Sequence, residues 1–209
     1  MRVRIVFSNK PIIGIVGGIG SGKSFVADLF GEFGCVVFHS DELARAAYNE
    51  ARVKAKVAGL LGPAVLRSDG SVDRSYIAGR VFSDPEVRRK IEKIIHPIVV
   101  RKRLKAMNER GDDAGVVGFV WDSPLLMETG MFKQCDAMVF VNAPLELRTD
   151  RVAKSRKWAA DELFRRENLQ HPLDKKREIS EYVIENTADA DYARGQVKNV
   201  LSRIRGLFA

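Results

Sequence analysis

Short apolar runs alternate along this chain with stretches in which apolar residues return every three or four positions. The runs have the length of buried strands and the periodic stretches read as amphipathic helices. Their order predicts an α/β fold, a parallel sheet wrapped by helices. The first strand is predicted over Pro11–Val16, followed by a glycine-rich turn and a helix from about Gly22 to Phe33. Further strands are predicted at Cys35–Phe38, Val116–Trp121, Ala137–Val141 and Tyr182–Glu185, and a last helix from about Ala190 to Leu207.

Between the second and third strands lies far more chain than one crossover needs, since connections run to about 2–6 residues plus a helix. Its helical periods predict an insertion over roughly 42–110, and a second, strongly basic one over roughly 151–180. The remaining segments, 11–41, 116–150 and 181–209, form the core of a single domain. Repeats, low-complexity tracts and flexible linkers are absent from the sequence.

Composition adds bounds. The 209 residues suit one α/β domain, with 45% hydrophobic and 30% charged residues. No apolar run reaches the ~20 residues of a membrane span. The basic start carries only Ile5–Phe7 as an apolar piece, too short for a signal peptide. Cys35 and Cys135 stand alone, without zinc or disulfide spacing, which fits a reducing cytoplasm. The net charge of +8 calls for an anionic partner, and nucleic acid, a membrane surface or a phosphorylated metabolite would each serve.

The chemistry begins at Gly17-Gly18-Ile19-Gly20-Ser21-Gly22-Lys23-Ser24, which fits G-x-x-x-x-G-K-[ST] between a buried strand and an amphipathic helix. Glycines let the backbone wrap phosphate oxygens so that successive N–H groups point inward, and the helix adds its positive end. The predicted nucleotide ligands are Gly18, Ile19, Gly20, Ser21, Gly22, Lys23, Ser24 and the Phe25 N–H. Lys23 supplies a charge for the terminal phosphates and the Ser24 hydroxyl a ligand for magnesium. The motif establishes nucleoside-triphosphate binding and leaves the reaction open.

In a parallel sheet, ligands sit beyond the carboxyl ends of the strands. Asp41 closely follows the second predicted strand and Asp122 closes the third. Phosphoryl transfer to an alcohol needs a proton acceptor and magnesium ligands, and carboxylates suit both tasks. Each also has a plain reading: Asp41 as cap of the helix starting Glu42-Leu43, and Asp122 as cap before Ser123-Pro124. His96-Pro97 reads as a helix start or bend. The three histidines form no visible metal cluster.

Taken together these segments resemble the dephospho-CoA kinases. The chain carries GGIGSGKS at Gly17–Ser24, HSDELAR at His39–Arg45, Asp69-Gly70 with Asp73-Arg74, VFSDP at Val81–Pro85, and His96-Pro97-Ile98. It also carries WDSPLLMETG at Trp121–Gly130, Arg166 with Gln170 in R-x-x-x-Q, Lys176, and YVIEN at Tyr182–Asn186. The similarity covers roughly 12–201. It implies a P-loop three-layer fold with five parallel strands, a helical acceptor-binding insertion and a helical lid. It implies ATP and dephospho-CoA as substrates, magnesium as cofactor, and no nucleic-acid or membrane partner.

The resemblance also implies roles. Asp41 would be the base that takes the proton from the ribose 3′-hydroxyl. Lys23 and the loop amides would hold the β- and γ-phosphates, and Ser24 with Asp122 the magnesium. Arg148 and Arg151 lie where the family draws its lid arginines, able to spread charge on the transferred group. Arg45, His96, Asp122, Leu125, Glu128, Arg166 and Gln170 would contact the substrates.

Three positions depart from the family pattern. His39 replaces the first aspartate of D-x-D, Phe25 replaces a threonine, and near the second lid arginine an ungapped match gives Ser155, with Arg156 next. A kinase of another small alcohol or nucleotide would keep the same P-loop and lid. A nucleic-acid-dependent ATPase would instead bind polymers with steep salt dependence. A GTPase would carry N-K-x-D, whereas Asn9-Lys10 is followed by Pro11-Ile12.

Overall fold

The computed structural model describes residues 9–208, so the Ile5–Phe7 piece lies outside the described residues. Two compact units emerge. One holds the described residues up to His39 together with those from Met107 onward, and the other is Ser40–Ala106.

The first unit is built on five strands: β1 (Ile12–Gly17), β2 (Cys35–His39), β3 (Gly118–Asp122), β4 (Ala137–Asn142) and β5 (Tyr182–Glu185). Their order is β2-β3-β1-β4-β5, and every neighbouring pair is parallel. Alternation along β1 separates two faces. Ile13 and Ile15 pack with Val120, Val139, Val141 and Ile184 against α1 (Lys23–Glu32) and α9 (Ala190–Gly206), which supply Val26, Leu29, Phe30, Val197 and Ile204. On the opposite face Gly14 has no room for a side chain, because a Cβ there would lie 2.6 Å from Met138 Sδ and 2.8 Å from Leu126 Cδ2.

Strand register positions the site. Asp122 pairs with Ile15 of β1 and with His39 of β2, so the carboxyl ends of three strands meet beside the glycine turn that leaves β1. Also in this unit are α6 (Leu145–Arg156), α7 (Ala160–Glu167) and α8 (Leu173–Glu178).

The second unit is helical: α2 (Ser40–Ala47), α3 (Ala51–Leu61), α4 (Arg74–Ser83) and α5 (Pro85–Arg110) up to Ala106. Its core is aliphatic, drawn from Val53, Val57, Val65, Ile77, Val87, Ile91, Ile95 and Val99. Asp73 caps α4, its Oδ1 accepting from Ser75 N at 2.9 Å and Tyr76 N at 3.0 Å, and Asp84 Oδ1 accepts from Glu86 N and Val87 N at the start of α5. His96-Pro97 does not start a helix: Pro97 lies inside α5. The missing N–H costs a bond, but Ile95 and Val99 on either side are buried in the core and carry the helix through.

No helix among the described residues is long and apolar enough to cross a membrane.

Candidate functional site

The glycine turn after β1 has left-handed backbone at Gly20 (φ 79°) and Gly22 (φ 89°), conformations that side chains disfavour. Space enforces the same choice. A Cβ on Gly22 would lie 2.2 Å from Asn186 Nδ2, and one on Gly20 would lie 2.6 Å from the Arg148 carbonyl oxygen. The outer wall of the turn is fastened from behind. Asn186 Nδ2 donates to the Ser21 carbonyl at 2.7 Å, and Arg151 donates to that carbonyl at 3.3 Å and to Asn186 O at 2.9 Å. Within the turn itself, Ser21 N donates to Gly18 O at 3.2 Å and closes the loop on its own backbone.

Lys23 opens α1 and folds back over the loop, donating to Gly18 O at 2.7 Å and Gly17 O at 3.2 Å. Burial pulls its ammonium from 10.5 down to about 8, with Asp122 and Glu167 opposing the shift and Lys176 and Arg156 adding to it. A lysine held among other cations is a group short of negative charge. The site is prepared for an anion.

Asp122 is 6% exposed and ends β3. Its Oδ2 accepts from the Ser24 hydroxyl at 2.6 Å and lies 2.9 Å from His39 Nδ1. The cap reading of Asp122 fails, because the strand runs through it and a series of turns follows rather than a helix. The paired hydroxyl and carboxylate oxygens fit a hard cation such as magnesium. His39 does not offer a free ligand: its Nε2 lies 2.9 Å from Asp28 Oδ1, so both ring nitrogens are engaged. Burial alone would lower its pKa, but the hydrogen bonds to Asp122 and Asp28 outweigh that and raise it. Among the described residues no group of three or more His, Cys, Asp or Glu side chains could hold a metal.

Further charges come from α6, α7 and α8 and from the turns after β3. Arg148, 6% exposed, donates to Glu167 Oε1 at 2.7 Å, to Oε2 at 2.9 Å and to Ile19 O at 3.3 Å. The Ile19 N–H, one of the loop amides, donates to Glu167 Oε1 at 2.9 Å. Lys176 of α8 is buried, donates to Gln170 Oε1 at 2.7 Å and lies 3.7 Å from Glu128 Oε1. Burial lowers its pKa, opposed by Glu128 and Glu167. Glu128 Oε1 also accepts from His171 N at 2.8 Å. Arg166 pairs with Glu162 and stacks on Trp158, its guanidinium 4.3 Å from the ring centre, while Arg156 lies 4.9 Å from the same ring. Ser155 bonds its own helix, through the Arg151 carbonyl.

Of the residues predicted from sequence, Gly18 to Ser24, Asp122 and Arg148 come together, with Glu128 and Gln170 gathered on Lys176. Arg151 is spent on carbonyls, Phe25 is exposed, and Leu125 is half-buried. Asp41, Arg45 and His96 belong to the other unit. There Asp41 sits exposed in the first turn of α2, which begins at Ser40 rather than at Glu42, so it is not the cap of that helix. Arg45 is exposed later in α2, and His96 is half-buried in α5. Sequence reasoning missed Glu167, a lone acid after two arginines, and gave no role to Asn186 or Lys176. The last two were legible only as letters of a shared motif.

A strand feeding a glycine turn and helix at the carboxyl edge of this sheet, with Lys23 and Arg148 beside the turn, defines a P-loop nucleotide-binding fold. The chain belongs to the dephospho-CoA kinase family, whose sequence model, described as dephospho-CoA kinase, matches residues 11–191. A dephospho-CoA kinase of Syntrophotalea carbinolica is 34% identical over 92% of this chain and 92% of its own length. One from Anaeromyxobacter dehalogenans is 35% identical over 93% and 92%. The crystal structure of TT1252 from Thermus thermophilus superposes with a TM-score of 0.79, at 33% identity over 93% of this chain and 97% of that one.

Proposed function

We propose that this chain transfers the γ-phosphoryl group of ATP to the ribose 3′-hydroxyl of dephospho-CoA, giving coenzyme A and ADP in the cytoplasm. The observation that carries the reading is the cradle itself. Loop amides, Lys23 and Arg148 converge within a chain whose family match runs from residue 11 to 191. Both substrates carry phosphates, which accounts for the net charge of +8 without nucleic acid.

In this reading the loop N–H groups and Lys23 hold the β- and γ-phosphates. Ser24 and Asp122 hold magnesium, which when bound offsets the charge of the phosphate oxygens. Arg148 faces the group in transfer, where positive charge is worth most in a dry site. Arg151, with Asn186, keeps the loop in shape. Asp41, in the first turn after β2, accepts the proton of the attacking hydroxyl. Arg45 and His96 in the helical unit (42–110 by sequence) and Leu125, Glu128, Arg166 and Gln170 position the substrates, with 151–180 acting as the lid.

The test is an acceptor panel. The protein is incubated with ATP, magnesium and, separately, dephospho-CoA, adenosine, AMP and shikimate. A mass gain of one phosphate on dephospho-CoA alone is expected. Gain on another acceptor instead would replace this substrate with that one.

A further inference from the structure

Glu167 does something a lid carboxylate has no need to do. It takes a hydrogen bond from the Ile19 N–H of the phosphate loop at 2.9 Å while both its oxygens are held by Arg148 Nη1, at 2.7 and 2.9 Å. An inward loop amide plus a guanidinium is the donor set that binds a phosphate oxygen. The position is over the glycine face: a Cβ on Gly18 would lie 2.6 Å from Arg148 Nη1 and 3.0 Å from Glu167 Oε1. A salt bridge that only fastened α7 to α6 would leave the loop amide alone.

The rest of α7 is anchored so as to aim this side chain. Leu163 is fully buried with Ile19 and Val152, and Trp158 packs against them. The carboxylate also offsets a local excess of positive charge, since Lys23 feels Glu167 as a counter-ion against Lys176 and Arg156. One amide hydrogen cannot serve a carboxylate and a phosphate oxygen together, and the two anions repel. Nucleotide entry must therefore expel Glu167, and its departure releases the Arg148 guanidinium.

We infer that Glu167 is an internal stand-in for a nucleotide phosphate: it holds the Ile19 N–H and Arg148 in place until the triphosphate displaces it, so that nucleotide affinity is set by competition with the protein's own lid. This role rests on the kinase reading and makes Glu167 a positioning residue for that reaction.

The test measures binding of inorganic triphosphate and of magnesium-ATP to the full chain by calorimetry, without acceptor. Glu167→Gln keeps the shape and removes the charge. Losing one charge-assisted competitor should tighten both ligands about tenfold. Asp150→Asn removes an equal charge from an exposed position of α6, where Asp150 pairs with Lys154, and should change affinity less than about twofold. Unchanged or weaker binding by Glu167→Gln, or equal tightening by both variants, would overturn the inference. If Glu167→Gln folds poorly, Glu167→Asp decides, because one methylene less withdraws the carboxylate from the amide; tightening supports the competition and its absence refutes it. A wild-type chain that bound neither ligand would strike at the nucleotide reading itself, and the inference would fall with it.

Discussion

The two units of this protein treat charge in opposite ways. In Ser40–Ala106 the interior is aliphatic and the ion pairs ride outside, as with Arg88–Glu92, Arg101–Glu50 and Lys102–Glu50. Arg103 is its one buried charged side chain among the described residues. In the sheet unit Asp122, Arg148 and Lys176 are all buried, and each makes contacts at the carboxyl end of the sheet or around α6, α7 and α8. Burying a charge opposes folding unless it is paired, and here Glu167 holds Arg148 while Gln170 and Glu128 attend Lys176. The difference teaches where function lies. The helical unit's interior is given to packing, whereas the sheet unit adds paired buried charges to an apolar core of its own.

That contrast can be broken by substitution. Lys23→Ala should reduce turnover the most, to near background and by more than roughly a thousandfold, as measured by ADP release. Asp41→Asn should lower kcat by about two to four orders of magnitude, the usual worth of a positioned proton acceptor, while ATP affinity measured by calorimetry stays near normal. Near-normal kcat in this variant would remove Asp41 from the role of base. Asp41 sharpens the comparison, because the proposed base lies exposed on the unit otherwise given to packing.

Two further changes probe packing against surface charge. Ile91→Ala opens a cavity in the aliphatic core and should cost about 2–5 kcal/mol in urea unfolding. Arg89→Ala breaks an exposed pair with Glu86, and the same experiment should register less than about 0.5 kcal/mol. If Arg89→Ala destabilised as much as Ile91→Ala, surface charge would be carrying the helical unit and the contrast would fail.

Much of this architecture could be read from the chain. Strands and helices follow from apolar runs and periods, and G-x-x-x-x-G-K-S fixed the phosphate loop because its geometry demands those glycines. Other features escaped for physical reasons. The order β2-β3-β1-β4-β5 depends on long-range pairing that no local pattern encodes. Asp122 and Ser123-Pro124 carry letters of a helix start, but pairing with His39 and Ile15 prolongs the strand through Asp122. Pro97 reads as a helix start or bend, and the start reading fails because α5 runs through it between the buried Ile95 and Val99. Glu167 left no sequence signal, since one acid among arginines reads as an ordinary surface pair until the loop amide is seen beside it.

Phosphate transfer to a single ribose hydroxyl is the central claim, and one measurement reaches it directly. Wild-type protein and Lys23→Ala are mixed with ATP, magnesium and dephospho-CoA, and the product is examined by phosphorus NMR. A new 3′-phosphomonoester, formed one-for-one with ADP by the wild type and barely above background by the variant, is the predicted result. ADP without that ester, or an ester formed equally well without Lys23, would contradict it.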